Sequence, residues 1–482
     1  LNCLSNKSKG YMLIFRSILI FILFFLSNNL FAQNIDKPLN FIVIFADDLG
    51  YGDLSSFGNP TINTPNLDKM VSEGQKWTQF YAGSSVCTPS RAALLTGRLA
   101  LRSGMTSSKA RVLYPDSKNG LPDYEITIAE QLKKVKYRTA CIGKWHLGHK
   151  KEHLPLKHGF DYYYGIPYSN DMDVPKDLMR KKGGYYNFMS NPENYIIENF
   201  QVPLIQNEKV IERPANQNNI TRRYSKETIK FIKENSDKSF FIYLAHNLPH
   251  IPLFASKEAL GKSSRGLYGD VIEEIDYGIG EILKTLKNEG LDNNTLVVFT
   301  SDNGPWTAYK DNGGSAGPLR AGKGTTWEGG MRVPTIFWLP GIISPGIINQ
   351  IGSTMDLLTT FSKIAGVPIP EDRQLDSYDL GPRLFENKPT SRNHIFYYRG
   401  NELYAVRLGE YKAHYITQGE YGLYGGKKIH NPPLLYNLNK DASEKYDISK
   451  EYPDVIKKIN RIVTEHKQKM IIGKDLLFER ID

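Results

Sequence analysis

Four short apolar runs, each ending in polar residues, constrain this chain more than any other feature. Asn40–Ala46 (Asn-Phe-Ile-Val-Ile-Phe-Ala) leads into Asp47-Asp48, and Thr139–Gly143 leads into Lys144-Trp145-His146. Phe240–Ala245 leads to His246 and His250, and Leu296–Thr300 to Ser301-Asp302-Asn303-Gly304. An uninterrupted apolar run of this length lacks the alternation of a half-exposed strand and suits a strand buried on both faces of a parallel sheet. Helical patterns lie between the runs, over residues 64–74, 124–134, Thr221–Asn235 and Tyr268–Asn288. The last places Ile272, Ile275, Ile279, Ile282, Leu283 and Leu286 on one face. Strands alternating with helices predict an α/β domain with a mostly parallel sheet flanked by helices. Ligands of such sheets bind beyond the carboxyl ends of the strands. All four runs put polar groups there, so they point to one site.

The tail has a different rhythm. Short strand-like runs at Ile395–Tyr398, Leu403–Arg407, Tyr411–Ile416 and Leu434–Tyr436 precede a helical pattern near Pro453–Gln468. They predict a small antiparallel sheet closed by a helix, joined through the segment containing Pro370, Gly381, Pro382 and Pro389. The expected organisation is a leader over residues 1–32, a catalytic α/β domain over 33–385 and a C-terminal subdomain over 386–482. In the leader, Met12–Arg16 is a short basic start, Ile18–Leu26 an apolar stretch and Leu30-Phe31-Ala32 a small-residue ending. This reads as a secretory signal cleaved near Ala32, placing the mature chain outside the cell or in a periplasm. The apolar stretch is well short of the ~20 residues that a stable membrane span needs.

With 61 basic against 51 acidic residues the net charge is +10, but Lys and Arg are spread along the chain rather than gathered in a stripe. That pattern argues against a nucleic-acid partner and is compatible with an anionic substrate. Of three cysteines, Cys3 precedes the signal, leaving Cys87 and Cys141, too few for a disulfide scaffold.

Asp47-Asp48 and Asp302-Asn303 offer three carboxylates and an amide oxygen. Hard oxygen donors suit calcium or magnesium rather than zinc, although Asp-Asp and Asp-Asn-Gly are also ordinary turn sequences. The decisive segment is Cys87-Thr88-Pro89-Ser90-Arg91, followed by a helical stretch ending in Thr96-Gly97-Arg98. It resembles the signature of the type I sulfatases, arylsulfatase A-like in the tail. Gly143-Lys144-Trp145-His146-Leu147-Gly148 is similar to the family's second signature. Further blocks follow in order: Gly165–Ser169, Pro249-His250-Ile251-Pro252, Lys323 with Thr326–Gly330, Tyr411–His414 and Pro433–Leu438.

The resemblance implies an alkaline phosphatase-like fold and hydrolysis of sulfate esters. It implies that Cys87 is oxidised to formylglycine by a formylglycine-generating or anaerobic maturation enzyme. The hydrated aldehyde carries two hydroxyls on one carbon: one attacks sulfur and the other expels sulfate by collapse to the aldehyde. By the same resemblance Asp47, Asp48, Asp302 and Asn303, with residue 87, hold one Ca2+. Arg91 neutralises the developing oxyanion, and Lys144 and Lys323 clamp the sulfate. His146 takes a proton during sulfate release and His250 gives one to the departing alcohol. Ser169 and His414 are further candidates for substrate contact, and His246 is a supporting neighbour. Lys144 and His146, two apart in extended chain, are expected to point to one side. The substrate class is a sulfated carbohydrate or aryl sulfate, with stacking surfaces in Tyr162–Tyr168, Tyr185–Phe188 and Tyr415–Tyr424. A phosphate or phosphonate ester hydrolase of the same fold, or a glycan-binding protein with Cys87 unmodified, are the competing readings.

Overall fold

The computed structural model describes residues 38–421, 423 and 425–481, so the signal-peptide reading lies outside the described residues. Residues from Asn40 onward form one compact unit. Its ten-stranded sheet contains β1 (Asn40–Ala46), β2 (Gln75–Tyr81), β3 (Arg138–Gly143), β4 (Tyr162–Gly165), β5 (Leu204–Gln206), β6 (Lys209–Glu212), β7 (Phe240–Ala245), β8 (Thr295–Ser301), β9 (Arg332–Trp338) and β10 (Gly346–Ser353). The order across the sheet is β10-β2-β9-β8-β1-β7-β3-β4-β5-β6. β8, β1, β7, β3 and β4 run parallel, as does the β2–β10 pair, while β9, β5 and β6 pair antiparallel.

The four apolar runs become β1, β3, β7 and β8. β1, β7 and β8 are buried along their whole length. Helices cover the sheet: α1 (Pro65–Glu73), α2 (Cys87–Thr96), α3 (Ile128–Lys133), α4 (Ile220–Glu234) and α5 (Leu267–Asn288). α3 is shorter than the pattern over 124–134 because Thr127 and Glu130 form a reciprocal capping box that starts the helix at Ile128. α5 buries Ile272, Ile275, Ile279, Ile282, Leu283 and Leu286, the face its periodicity marked.

β9 contains Pro334, a poor residue for the middle of a sheet. The structure accommodates it with a register shift against β2 between Trp77 and Phe80, so the missing N–H falls where the ladder is already broken.

The tail forms an antiparallel sheet of β11 (His394–Arg399), β12 (Glu402–Leu408), β13 (Tyr411–Thr417) and β14 (Lys428–Asn437), and then α6 (Pro453–Lys469). Ile456, Ile459 and Val463 of α6 pack on Val406, Ala413 and Leu435. A buried ionic network joins this sheet to the segment after Lys323. Lys412 Nζ lies 2.9 Å from Glu328 Oε1 and 3.0 Å from Glu444 Oε1, and the hydroxyls of Tyr81 and Tyr397 donate to Glu328 at 2.6 and 2.9 Å. Burial alone would raise the Glu328 carboxyl, but Lys412, Arg332 and Arg407 outweigh it and hold it at about 2. Among the described residues no helix is long and apolar enough to cross a membrane.

Candidate active site

Adjacent strand ends put the polar residues side by side. Phe45 is opposite Ala245, Ala46 opposite Ser301, and Gly143 opposite Ala245. The residues that follow, Asp47, Lys144, His246 and Asp302, therefore leave one edge of the sheet together. Backbone bonds fix them there: Asp302 N donates to Ala46 O (3.0 Å), Lys144 N to Ala245 O (2.7 Å) and Asp47 N to Leu248 O (3.2 Å). Gly143 has φ 112°, and a Cβ there would meet Ala245 O at 1.9 Å, so a side chain would push β3 off β7. The backbone is not extended beyond this point, since His146 has φ 58°. The reason expected to bring Lys144 and His146 to one side, an extended chain, therefore does not hold at His146. Both still reach the site, but from a turn.

Cys87 is the first residue of α2, a helix buried throughout. The unpaired N–H groups of a helix start carry partial positive charge, which favours an anion at this point. One turn on, Arg91 donates through Nε and Nη2 to Asp302 Oδ2 (3.2 and 2.9 Å) and through Nη1 to Lys144 O (2.9 Å), with Asp47 at 3.5 Å. Lys144 Nζ donates to Asp47 Oδ2 and to Ser169 Oγ, the latter at 3.0 Å. Lys323 Nζ donates to Asp48 Oδ2 (2.7 Å) and sits 4.4 Å from the centre of the Trp306 ring. Asp48 N donates to Asp302 Oδ1 at 3.1 Å.

Three buried carboxylates thus face three buried cations. Burial pushes the Asp302 carboxyl up, Asp47 adds to this, and Arg91 offsets only part, leaving it at about 7. Burial also acts to raise Asp47, but Lys144, Arg91, His250 and Lys323 together hold it well below the usual range. A carboxyl poised near neutrality beside two others is a site short of positive charge. Asn303 Oδ1 is buried with no partner, while its Nδ2 donates to Asp48 Oδ1 (2.7 Å). Asp47, Asp48, Cys87 and His250 each bring a ligand-capable atom within 4.8 Å of the others. Carboxylates with an unclaimed amide oxygen fit a hard divalent cation. Such an ion would leave the cluster with an excess of positive charge, ready for an anionic group.

Cys87 itself is held as a thiol. Burial, then Asp302 and Asp47, push its pKa well above the usual value, and Sγ donates to Asp47 Oδ1 at 3.4 Å. The thiolate is the nucleophilic form of cysteine, so this environment suppresses ordinary cysteine chemistry.

The histidines differ in tautomer. His146 Nε2 lies 2.9 Å from the Leu113 carbonyl, which can only accept, so Nε2 carries the proton and buried, unpartnered Nδ1 holds the lone pair. Burial and then Lys144 push its pKa well down, keeping it neutral. His250 makes the opposite choice: Nδ1 donates to the Ile251 carbonyl and Nε2 lies 3.6 Å from Asp48 Oδ2. Burial and Lys323 lower its pKa despite Asp48 and Asp47. His246 is buried against Tyr224, and burial pushes it down to about 4.

A cavity of about 200 Å³ opens over Cys87, and His146, Ser169, His250 and Lys323 line it. His414 does not. It is buried on β13, with Nε2 2.7 Å from Glu444 Oε1 and its ring against Trp327, so its expected place at the substrate is corrected to the buried network. Tyr162–Tyr168 does not line the cavity either: Tyr163 is in the core, and the hydroxyls of Tyr162 and Tyr168 donate to Glu227 and Asp173. The other two aromatic segments send one ring each, Tyr185 and Tyr421, to the cavity wall. Sequence reasoning missed Asp171, Trp306 and Arg111, which also line it. Asp171 and Trp306 stand two residues after Ser169 and three after Asn303, so proximity to a motif was an available signal. Arg111 carried none.

A sulfatase family profile matches residues 39–367, and one for the C-terminal region of aryl-sulfatase matches residues 390–480. The N-acetylgalactosamine-6-sulfatase of Mus musculus is 39% identical over 479 residues, covering 93% of this chain and 90% of that protein. Human (Homo sapiens) arylsulfatase A is 39% identical over 433 residues, covering 86% and 83%. The crystal structure of Ps i-CgsB in complex with k-i-k-neocarrahexaose superposes with a TM-score of 0.73 at 32% identity, covering 89% of this chain and 92% of that one. The fold is the alkaline phosphatase-like α/β fold of these sulfatases, and the acids, lysines and histidines at its strand ends surround the cysteine of the first signature. The chain belongs to the type I sulfatase family, arylsulfatase A-like, and is a sulfuric ester hydrolase.

Proposed function

We propose that this protein is an exported, calcium-dependent carbohydrate sulfatase whose nucleophile is formylglycine made from Cys87 by a maturation enzyme. The observation that carries the reading is the place of Cys87: it is buried at the start of α2 among Asp47, Asp302, Lys144 and Lys323, donates to Asp47, and is surrounded by groups that favour the protonated thiol. A residue so placed and so suppressed is consistent with one that works only after chemical conversion. Asp47, Asp48, Asp302 and Asn303 would hold calcium. When present, calcium supplies Lewis-acid charge stabilisation, and formylglycine supplies a hydrated aldehyde as oxygen nucleophile.

The chain's own residues do the rest. Lys144 and Lys323 each have an ammonium within the acid cluster and can turn to an incoming sulfate, with Ser169 Oγ as a further hydrogen-bonding group. Arg91 is pinned by Asp302 and the Lys144 carbonyl, so its charge is fixed before the substrate arrives, the preorganisation that stabilises developing charge. His146 lines the cavity with its Nδ1 unprotonated and unpartnered, and would act as base. His250 presents Nε2 and, once protonated there, acts as acid on the leaving oxygen.

Carbohydrate is favoured by an aromatic cavity wall, to which Tyr185, Trp306 and Tyr421 contribute. The relatives named above include one named for an amino-sugar sulfate and a structure holding k-i-k-neocarrahexaose. Arg111 and Arg399 flank the Tyr421 ring at 3.6 and 4.5 Å, and Arg111 is exposed at the cavity. This supports a substrate with a second anionic group beyond the scissile sulfate. Arg111→Ala should raise KM for an anionic sulfated oligosaccharide by ~10-fold with kcat little changed, since a charge-assisted hydrogen bond is worth ~1.5–3 kcal/mol. A nitrophenyl sulfate should not respond. Equal effects on both substrates would remove Arg111 from recognition.

For the cation, elemental analysis of protein purified without added metal should show about one calcium per chain. Asp302→Ala should lose that calcium, lower Tm and cut turnover by ~10²-fold or more, because a Lewis-acid ion is worth several kcal/mol. Full activity in metal-stripped protein would contradict the assignment.

A further inference from the structure

Among the described residues, one cluster outside the active site combines metal-capable groups with buried, unclaimed nitrogens. Asp123, His153 and His158 each bring a ligand-capable atom within 4.8 Å of the others. His158 is fully buried, and neither of its ring nitrogens has a partner. His153 Nδ1 is likewise buried without one. A buried imidazole with both nitrogens unsatisfied is uncommon, because each forfeits the hydrogen bond it made with water. Asp123 is exposed and forms the open side.

The histidines are held in place by their surroundings. The His158 backbone is tied at both groups, its N–H donating to Pro155 O (2.9 Å) and its carbonyl accepting from Thr127 Oγ1 (2.8 Å). Its ring stacks on Trp145 with centroids 5.7 Å apart. His153 is enclosed by two glycines: a Cβ on Gly120 would lie 2.6 Å from His153 Cγ, and one on Gly148 would lie 2.5 Å from His153 Cβ. Trp145 Nε1 donates to the His153 carbonyl at 2.8 Å.

We propose that Asp123, His153 and His158 form a second metal site, for a borderline divalent ion of the zinc class. Two imidazoles and one carboxylate match that class in ligand type and number, with the remaining position left to water on the exposed side. They do not match calcium, which takes six or more oxygens. The site is distinct from the oxygen-rich cluster around Cys87. Through Trp145 and Gly148, its ligands pack directly on the turn that carries Lys144 and His146, so an ion here braces that turn from behind.

The test is titration of the full-length mature enzyme with zinc chloride in excess calcium, which keeps the oxygen-rich site filled. Calorimetry gives stoichiometry, and cobalt(II) in place of zinc gives the visible bands of a tetrahedral nitrogen–oxygen site. The expected result is one zinc per chain and a raised Tm. Asp123→Asn, at an exposed position, and His153→Gln, which keeps a polar side chain of similar reach, should each weaken zinc by ~10-fold or more, because each removes one of the three protein ligands. Calcium content should be unchanged in both. Zinc binding that is absent in the wild type, or equally strong in both variants, would overturn the proposal.

Discussion

Cys87→Ala should abolish sulfate ester turnover, by roughly 10⁶-fold, the scale on which loss of a catalytic nucleophile is felt. Folding should survive, because the residue is small, buried and donates one long hydrogen bond, to Asp47. Cys87→Ser should be nearly as inactive. A single hydroxyl can accept sulfate but cannot expel it by forming an aldehyde, so at most one turnover follows. Single-turnover and steady-state assays on a nitrophenyl sulfate distinguish the two variants. Ordinary turnover by Cys87→Ala would end the account of residue 87 as nucleophile precursor.

The second large effect is expected at His250 and depends on the leaving group. A sugar alcohol departs poorly as an alkoxide, so it needs a proton in the transition state, whereas a nitrophenolate does not. His250→Ala should therefore cut turnover of a sulfated sugar by ~10²–10⁴-fold, and that of a nitrophenyl sulfate far less. The pH profile carries a matching sign. Burial and Lys323 lower the His250 pKa, so its acid form is present at low pH and is lost as pH rises through a value below the ordinary imidazole pKa of about 6.5. Wild-type kcat/KM on the sugar substrate should fall on that alkaline limb, and the limb should be missing for the nitrophenyl ester. His146→Ala should slow both substrates alike if, as proposed, its Nδ1 serves sulfate release after the alcohol has gone. Equal losses for His250→Ala on the two esters would leave it as a sulfate-binding or structural residue.

Much of the fold was legible because its central strands are buried on both faces. That burial demands continuous apolar runs, and β1, β3, β7 and β8 show them. The flanking strands were not legible for equally physical reasons. β2 (Gln-Lys-Trp-Thr-Gln-Phe-Tyr) is partly exposed and mixes polar with aromatic residues, and β9 carries a proline that only the register shift against β2 makes tolerable. β5 and β6 are short, and β6 is largely exposed, at the sheet edge. In the tail, strand positions were readable as short strand-like runs, but not which face met the substrate. His414 went to the buried network because Glu444, thirty residues away, was there to receive it.

The site divides in the same way. Residues directly after buried strands, Asp47, Asp48, Lys144 and Asp302, were readable because strand ends in a parallel sheet converge. Asp171, Trp306 and Arg111 come from loops whose paths depend on tertiary packing, and a single arginine at a cavity mouth leaves no local pattern. Tautomers were also beyond the sequence. That His146 offers Nδ1 while His250 offers Nε2 follows only from which carbonyl, Leu113 or Ile251, each ring meets.

The most direct test of the central claim is the mass of the peptide containing residue 87, taken from the same preparation in which sulfatase turnover is measured. Conversion of the thiol side chain to an aldehyde lowers that mass by ~18 Da and creates the group on which nucleophilic catalysis here depends. The account predicts that specific activity rises in proportion to the converted fraction across preparations made with different amounts of maturation enzyme, and extrapolates to zero at none. Full turnover from protein whose residue 87 is entirely unmodified cysteine would contradict it.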